Sequence, residues 1–352
     1  MTSAGISESS RIVGVLLGTA VGDALGLPAE GLKPQRLKRR WKGEWRMRFV
    51  GGHGMVSDDT EHVAMVASAL LDQREDAVRF QRVLAWKLRW WFLALPAGVG
   101  MATAKACMKL WLGFPPARSG VHSAGNGPAM RSAILGAVFP NDEVRRREFN
   151  RTSSRLTHTD ERAESGALLV AEAVAWIFRT SGDRDSCEFL KIALAVAQQP
   201  EWQESLRRIG SSLESGLTVG EFAQSLGLAN GVTGFIMHTV PVALFAWLRH
   251  RRDLAAALTA ALDCGGDTDT VGAIVGAILG AEVGADRIPQ KWLGSVTDWP
   301  RSTGYLRSLG LALASGNAPI KAPRLFWPAI PFRNLVFFGF VLAHGFRRLV
   351  PP

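Results

Sequence analysis

Apolar residues recur along this chain at three- and four-residue spacing, and no convincing stretch alternates apolar and polar residues at a period of two. That pattern predicts helices throughout and a nearly all-α fold. Residues 11–27 are small and branched apolar residues, with Gly14, Gly18, Gly22 and Gly26 at intervals of four and Pro28 closing the run. Residues 271–280 repeat the device with Gly272, Gly276 and Gly280. A glycine at every fourth position leaves one helix face without side chains, so a second backbone can approach it closely. The two segments are therefore predicted to pack on each other. Further helices are predicted over 57–71, 76–95, 101–112, from Pro128 onward, 163–178, 186–199, 203–226, 239–248 and 254–262. In the second of these, Trp86, Trp90 and Trp91 read as core packing with tryptophan at the rim. Residues 31–54 are basic, carry Trp41 and Trp45, end in glycines and read as a loop.

After Asn317 the pattern changes. Pro319, Pro323, Pro328 and Pro331 space a hydrophobic segment, and residues 335–349 form an apolar run that ends near Arg347 and Arg348. We divide the chain into a domain over 1–318 and an extension over 319–352. The run is shorter than the ~20 residues that span a bilayer, and it reads as a C-terminal helix packed on the domain. The alternative reading is a peripheral membrane contact or a docking element.

Composition narrows the class without naming a function. The 352 residues are 47% apolar and 20% charged, which suits one large globular domain or two ordinary ones. The net charge of +10 points to anionic partners. The basic clusters (38–40, 145–147, 249–252 and 347–348) are not interleaved with aromatics, so no nucleic-acid module is indicated. Cys107, Cys187 and Cys264 are scattered, with no Cys-x-x-Cys pair, which argues against a disulfide framework or structural zinc and for a reducing compartment. Residues 12–21 have the length of a signal-peptide core, but the helical pattern continues through 22–26 without a cleavage site. We read them as a core helix of a cytoplasmic protein.

Candidate chemistry lies where glycines lead into acidic helix starts. Residues 265–270 read Gly-Gly-Asp-Thr-Asp-Thr, placing Asp267, Asp269 and Thr270 at the mouth of the second glycine-striped helix. Residues 51–60 read Gly-Gly-His-Gly-Met-Val-Ser-Asp-Asp-Thr, with Ser57, Asp58 and Asp59 before the apolar run from Val63. Asp58 with Glu61 three residues on resembles a capping box. Carboxylates suit a helix N-terminus, where unpaired N–H groups and the macrodipole favour negative charge. Alone, either cluster also reads as an ordinary helix cap. Two with the same entry and content look like halves of one binuclear metal site. Oxygen ligands favour hard ions, Mg2+ or Mn2+ before zinc.

Two further segments carry weaker signals. Gly125-Asn126-Gly127-Pro128 is a turn feeding a helix, offering backbone N–H groups that suit a phosphate, though a plain loop-to-helix junction fits as well. His158 precedes Asp160, the expected cap of the helix over 163–178, and on its own reads as a structural histidine.

Taken in order, Gly22-Asp23-Ala24-Leu25-Gly26-Leu27-Pro28-Ala29-Glu30, Ser57-Asp58-Asp59-Thr60, residues 125–131, His158-Thr159-Asp160 and residues 265–270 resemble the ADP-ribosylglycohydrolase family, whose bacterial members include the dinitrogenase reductase-activating glycohydrolases. The resemblance spans residues 11–285 and implies a compact all-α domain with two Mg2+ or Mn2+ ions in a central cleft. It implies Ser57, Asp58, Asp59, Asp267, Asp269 and Thr270 as metal ligands. Gly125, Asn126 and Gly127 would hold the ADP-ribose phosphates, with His158 near the ribose. Glu30 matches a glutamate that gates or assists the reaction in some members. Glu161 and the pair Glu61-His62 depart from the family's usual residues without falling on an implied ligand. The implied reaction cleaves the bond at the ribose anomeric carbon through an oxocarbenium-like state. Two metals ~3.5–4 Å apart would orient the ribose and activate a water, with Asp58, Asp59 or Glu30 as base. The implied partner is an ADP-ribosylated protein, most readily one modified on arginine. A two-metal nucleotide phosphohydrolase, or a protein that binds and blocks an ADP-ribosyltransferase, would use the same features.

Overall fold

The computed structural model describes residues 6–41, 43–180, 185–316 and 322–349. Among them run seventeen α-helices and no strand. In chain order these are α1 (Glu8–Gly26), α2 (Pro34–Arg40), α3 (Asp58–Asp72), α4 (Ala77–Leu93), α5 (Met101–Trp111) and α6 (Ala133–Val138). Then follow α7 (Glu143–Arg155), α8 (Glu161–Arg179), α9 (Ser186–Val196), α10 (Pro200–Glu214), α11 (Val219–Ser225) and α12 (Ile236–Arg249). The chain closes with α13 (Leu254–Leu262), α14 (Thr268–Val283), α15 (Gln290–Leu293), α16 (Thr303–Ala314) and α17 (Ala329–Leu349). Side-chain caps fix many starts, among them Ser7, Asp76, Asp142, Asp160, Asp185, Asp253 and Ser302.

At the centre α1 lies along α14, as the matching glycine periods predict. A Cβ built on Gly14, Gly18 or Gly22 would fall 2.0, 2.0 and 1.9 Å from the carbonyl oxygens of Gly280, Gly276 and Gly272. Only glycine permits this seam. Every residue of α1 from Ile12 onward is buried, so its length and apolarity belong to a core helix, packed on α14, α3, α6 and α16, while α8, α12 and α13 cover α14.

Several expectations need correction. Residues 34–40 are helical rather than loop, because Pro34 sits at the first turn and Lys38, Arg39 and Arg40 complement the last. The helix expected over 203–226 is two. Gly216, at φ +69°, ends α10, and a capping box between Thr218 and Glu221 starts α11. After Pro128 comes a short 3-10 turn (Ala129–Arg131) before α6, and α7, over residues given no element from the sequence, follows it. Trp91 is buried in the core, whereas Trp86 and Trp90 are exposed.

The C-terminal helix is also longer than the apolar run suggested, at 21 residues. One stripe of α17 packs on the domain. The Arg333 guanidinium pairs with Asp298 and donates to the Val56 carbonyl, and Asn334 Nδ2 donates to the Ala94 carbonyl at 2.8 Å. Farther along, Phe337 joins Leu27 and Phe49 in a small satellite core, and His344 stacks on Phe49.

Candidate active site

The two acidic turns meet because α1 holds both. Asp23 is a buried carboxylate in the otherwise apolar stripe of α1. Its oxygens accept from the Ser57 N–H (2.9 Å), the Thr60 N–H (3.2 Å) and the Thr60 hydroxyl, clamping the first turn of α3. Ser57, not Asp58, caps that helix: its Oγ accepts from the Asp59 N–H. Glu61 makes no capping box. Its carboxylate instead accepts from Trp91 Nε1 and pairs with Arg301. On the other side Gly22 and Gly26 of α1 touch the start of α14, where Thr268 Oγ1 donates to the Gly26 carbonyl at 2.8 Å. The turn before α14 needs glycine at Gly265 and Gly266, both at positive φ. Backbone bonds tie it on one side to Gly31 and Leu32, next to Glu30, and on the other to Val232.

These elements open a cleft of about 500 Å³, lined by Glu30, Asp58, Gly125, Asn126, Gly127, His158, Asp267, Asp269 and Thr270 among others. That size suits a nucleotide-like ligand. Nine of the eleven residues singled out from the sequence therefore share one cavity wall. Ser57 and Asp59 do not line it. They lie one layer beneath, where Asp59 Oδ2 accepts from Ser57 Oγ (3.1 Å) and Thr270 Oγ1 (3.2 Å), so the α3 and α14 turns touch directly.

The carboxylates repel one another. Burial raises Asp58, Asp59 and Asp269 well above the usual carboxylate range. Their neighbours push the same way: Asp23, Glu61 and Glu30 on Asp58; Asp23, Asp58 and Asp267 on Asp59; Glu30, Asp267, Asp59 and Asp23 on Asp269. Burial also lifts Asp23 to about 7 against the pull of its hydrogen bonds. Among the described residues no three acidic or histidine side chains are closed into a ready coordination shell. The donor set nevertheless fits hard cations. Asp59 Oδ1 and Asp269 Oδ1 are buried with no hydrogen-bond donor, and crowded oxygen ligands are what such ions neutralise.

The glycine-asparagine turn sits on the imidazole of His158. A Cβ on Gly125 would lie 3.0 Å from Nε2, and one on Gly127 2.9 Å from Cε1. The turn is less free than expected, because the Asn126 N–H donates to the Gly234 carbonyl and its Nδ2 donates to Asp267 Oδ2 (2.6 Å) and Thr239 Oγ1. Asn126 thus positions an acidic side chain as well as lining the cleft. Burial and the Arg131 charge drive His158 down to about 3, so it is neutral. Thr157 Oγ1 accepts from Arg131 at 2.7 Å, so its hydroxyl proton points to His158 Nδ1. By that network the other ring nitrogen, Nε2, carries the proton beneath Gly125.

Arg131 escaped the sequence reading. Fully buried, it donates to the Gly127 carbonyl, Ser153 Oγ and carbonyl, Thr157 Oγ1 and His62 Nδ1, joining four parts of the site. Burial lowers it only to about 10, so it stays charged. Its signal was an arginine inside an otherwise apolar run, as Asp23 was a lone acid in another. His62, one of the two departures noted above, is its neutral acceptor, held well below the usual histidine range by burial.

Comparison with known proteins matches the ADP-ribosylglycohydrolase family over residues 5–319. An uncharacterised protein of Archaeoglobus fulgidus is 32% identical over 292 residues, 80% of this chain and 90% of that one. ADP-ribosylhydrolase ARH3 of Xenopus tropicalis is 28% identical over 339 residues, 83% and 91% of the two chains. A solved structure titled ADP-ribosylglycohydrolase-related protein complex superposes with a TM-score of 0.67 at 26% identity, covering 88% of this chain and 99% of that one.

Proposed function

Because this chain belongs to the ADP-ribosylglycohydrolase family, we propose that it removes ADP-ribose from a modified protein by hydrolysing the bond at the ribose anomeric carbon. The observation that carries the reading is the junction of the two acidic turns, bonded through Thr270 and Asp59, at the floor of a nucleotide-sized cleft. The Gly125–Gly127 turn receives the diphosphate, and the buried charge of Arg131 behind it favours an anion. The His158 Nε2–H donates towards the ribose, and Asn126 holds Asp267 in place against it. As the glycosidic bond lengthens, positive charge grows on the ribose ring. Asp58, Asp267 and Asp269 aim preorganised carboxyl oxygens at that charge, which favours the transition state over the ground state. Glu30, exposed at the rim, takes the proton of the water as its oxygen bonds to the anomeric carbon, and the acceptor leaves with the electron pair of the broken bond and is protonated from solvent.

Asp58, Asp59, Asp267, Asp269, Thr270 and Ser57 are the residues that would hold two Mg2+ or Mn2+ ions. Bound there, the ions would neutralise the carboxylate crowding and lower the pKa of water. The acceptor we propose is arginine, whose cationic guanidinium suits the carboxylate rim at Glu30. Incubation with arginine-, serine- and DNA-linked ADP-ribose, with and without Mg2+ or Mn2+, tests the reading. Free ADP-ribose from the arginine substrate is expected. Phosphate release without ADP-ribose would make the protein a phosphohydrolase, and turnover of serine alone would overturn the acceptor.

A further inference from the structure

Helix α17 is built the wrong way round for water. Among its described side chains the polar ones, Arg333, Asn334 and His344, point into the domain, where each has a partner. Its outward face is Phe332, Leu335, Val336, Phe338, Leu342 and Phe346, with Phe332, Leu335 and Phe346 each more than 65% exposed. Only 28% of the apolar stretch Ala329–Phe346 is buried. The family match ends at residue 319, so this helix lies outside it.

The face continues beyond α17. Trp327, just before the helix, meets exposed Trp90 edge to face, and Trp90 meets Trp86 and Trp111. Of the large apolar side chains exposed on the described surface, all but Val144 come from two segments, 77–141 and 299–352. Those same segments contain no Asp or Glu and fifteen Lys or Arg (eight and seven), of which Arg131, Arg301 and Arg333 are buried; the rest of the chain, with 26 basic and 31 acidic residues, stands at net −5. Among the described residues large apolar exposure thus falls, Val144 apart, in the part of the chain that carries all of the net positive charge.

We propose that α4, α5 and α17 form a docking face for an anionic lipid bilayer, with α17 lying in the plane of the interface. Apolar side chains entering the acyl boundary, tryptophans at the headgroup level and a basic surround are the two signals that together give stable peripheral binding. The inward polar stripe of α17 ties it flat to the domain and argues against a spanning arrangement. A second copy of the chain would bring the same positive charge against itself, which disfavours a dimer through this face. Residues 94–103 join the face to the cleft. Asn334 holds the Ala94 carbonyl, Ala97 packs on the Phe337 cluster, and Gly98 and Gly100 to Thr103 contribute to the cleft lining. Docking therefore brings the cleft mouth beside the membrane surface.

Flotation of the full chain with phosphatidylcholine vesicles, with and without phosphatidylglycerol, tests this. Binding should require phosphatidylglycerol and weaken with salt. The triple variant Phe332→Ser, Leu335→Ser, Phe338→Ser should bind roughly tenfold more weakly or worse, with melting temperature and ADP-ribose release unchanged. An independent pair, Arg82→Glu with Arg324→Glu, both exposed, should lose binding to the anionic vesicles without touching the apolar face. The proposal is overturned if the protein ignores both vesicles, or if both variants bind like the parent. A dimer that the triple variant dissociates, with no vesicle binding, would equally overturn it by giving the face to a second copy.

Discussion

Replacing Gly22 with alanine puts a methyl group where the α1–α14 seam has no room. Its Cβ would sit 1.9 Å from the Gly272 carbonyl oxygen and 2.4 Å from its carbon, against the 3.4 Å at which ordinary contact begins. Both obstacles are backbone, so no rotamer change relieves the clash and the helices must part. Overpacking of this kind costs ~1–3 kcal/mol or more, offset by the ~1 kcal/mol that alanine gains over glycine inside a helix. With both obstacles in the backbone the upper figure applies, a net destabilisation of about 2 kcal/mol and a shift of about 3 °C in melting temperature for a chain of this length. The functional effect should be larger. Gly22 adjoins Asp23, which clamps α3, and faces the first turns of α14, so separation here pulls Asp58 and Asp59 from Asp269 and Thr270. A misplacement near 1 Å costs ~100-fold in rate. Gly14→Ala supplies the control. Its Cβ meets the Gly280 oxygen at 2.0 Å, an equal clash at the far end of the same seam, and should cost similar stability but much less activity. Gly220→Ala, in α11 with nothing within 4 Å, should leave both unchanged or raise stability slightly. Thermal melts and initial rates of ADP-ribose release read out all three. Equal loss of activity in Gly14→Ala and Gly22→Ala, or a silent Gly22→Ala, would refute the argument that α1 aligns the two turns.

Three other outcomes follow from the site. Asp58→Asn with Asp269→Asn should abolish ADP-ribose release while leaving or raising the stability of metal-free protein, since it removes two crowded carboxyls that must take up protons to stay buried; an active double variant contradicts the mechanism. Arg131→Lys keeps the charge but not the fork that reaches Gly127, Ser153, Thr157 and His62, and should lose at least ~2 kcal/mol in denaturant melts. In metal-free protein the folded carboxylates hold protons that the unfolded chain releases near pH ~4, so stability should fall as pH rises from the usual carboxylate range through about 7, the value for Asp23. Added Mg2+ should restore the melting temperature most at the alkaline end, and a metal-free melt that rises with pH would contradict the crowding.

Much of this was legible in the sequence because the decisive features are local. Glycine at every fourth residue of α1 and α14 announces their contact, and the acidic turns mark helix starts that the structure keeps. What stayed hidden was which polar residues look inward. Asp23 and Arg131 sit in apolar runs, and nothing local says that one clamps α3 or that the other gathers four segments. Asp59 shares a dipeptide with Asp58, yet helix rotation turns one into the cleft and the other beneath it. The break at Gly216 was missed because the amphipathic period runs on across it. The outward apolar face of α17 could not be read at all, since period alone does not say which side of a helix meets the domain.

The central claim is that the α3 and α14 turns together hold divalent ions where the ribose is cleaved. Calorimetric titration of Mn2+ into chelator-treated protein, with ADP-ribose release followed on the same samples, tests it most directly. We expect about two ions per chain, activity that returns in step with occupancy, and neither binding nor activity in the Asp58→Asn, Asp269→Asn variant. Full turnover in thoroughly demetallated protein, or undiminished ion binding by the variant, would contradict the account.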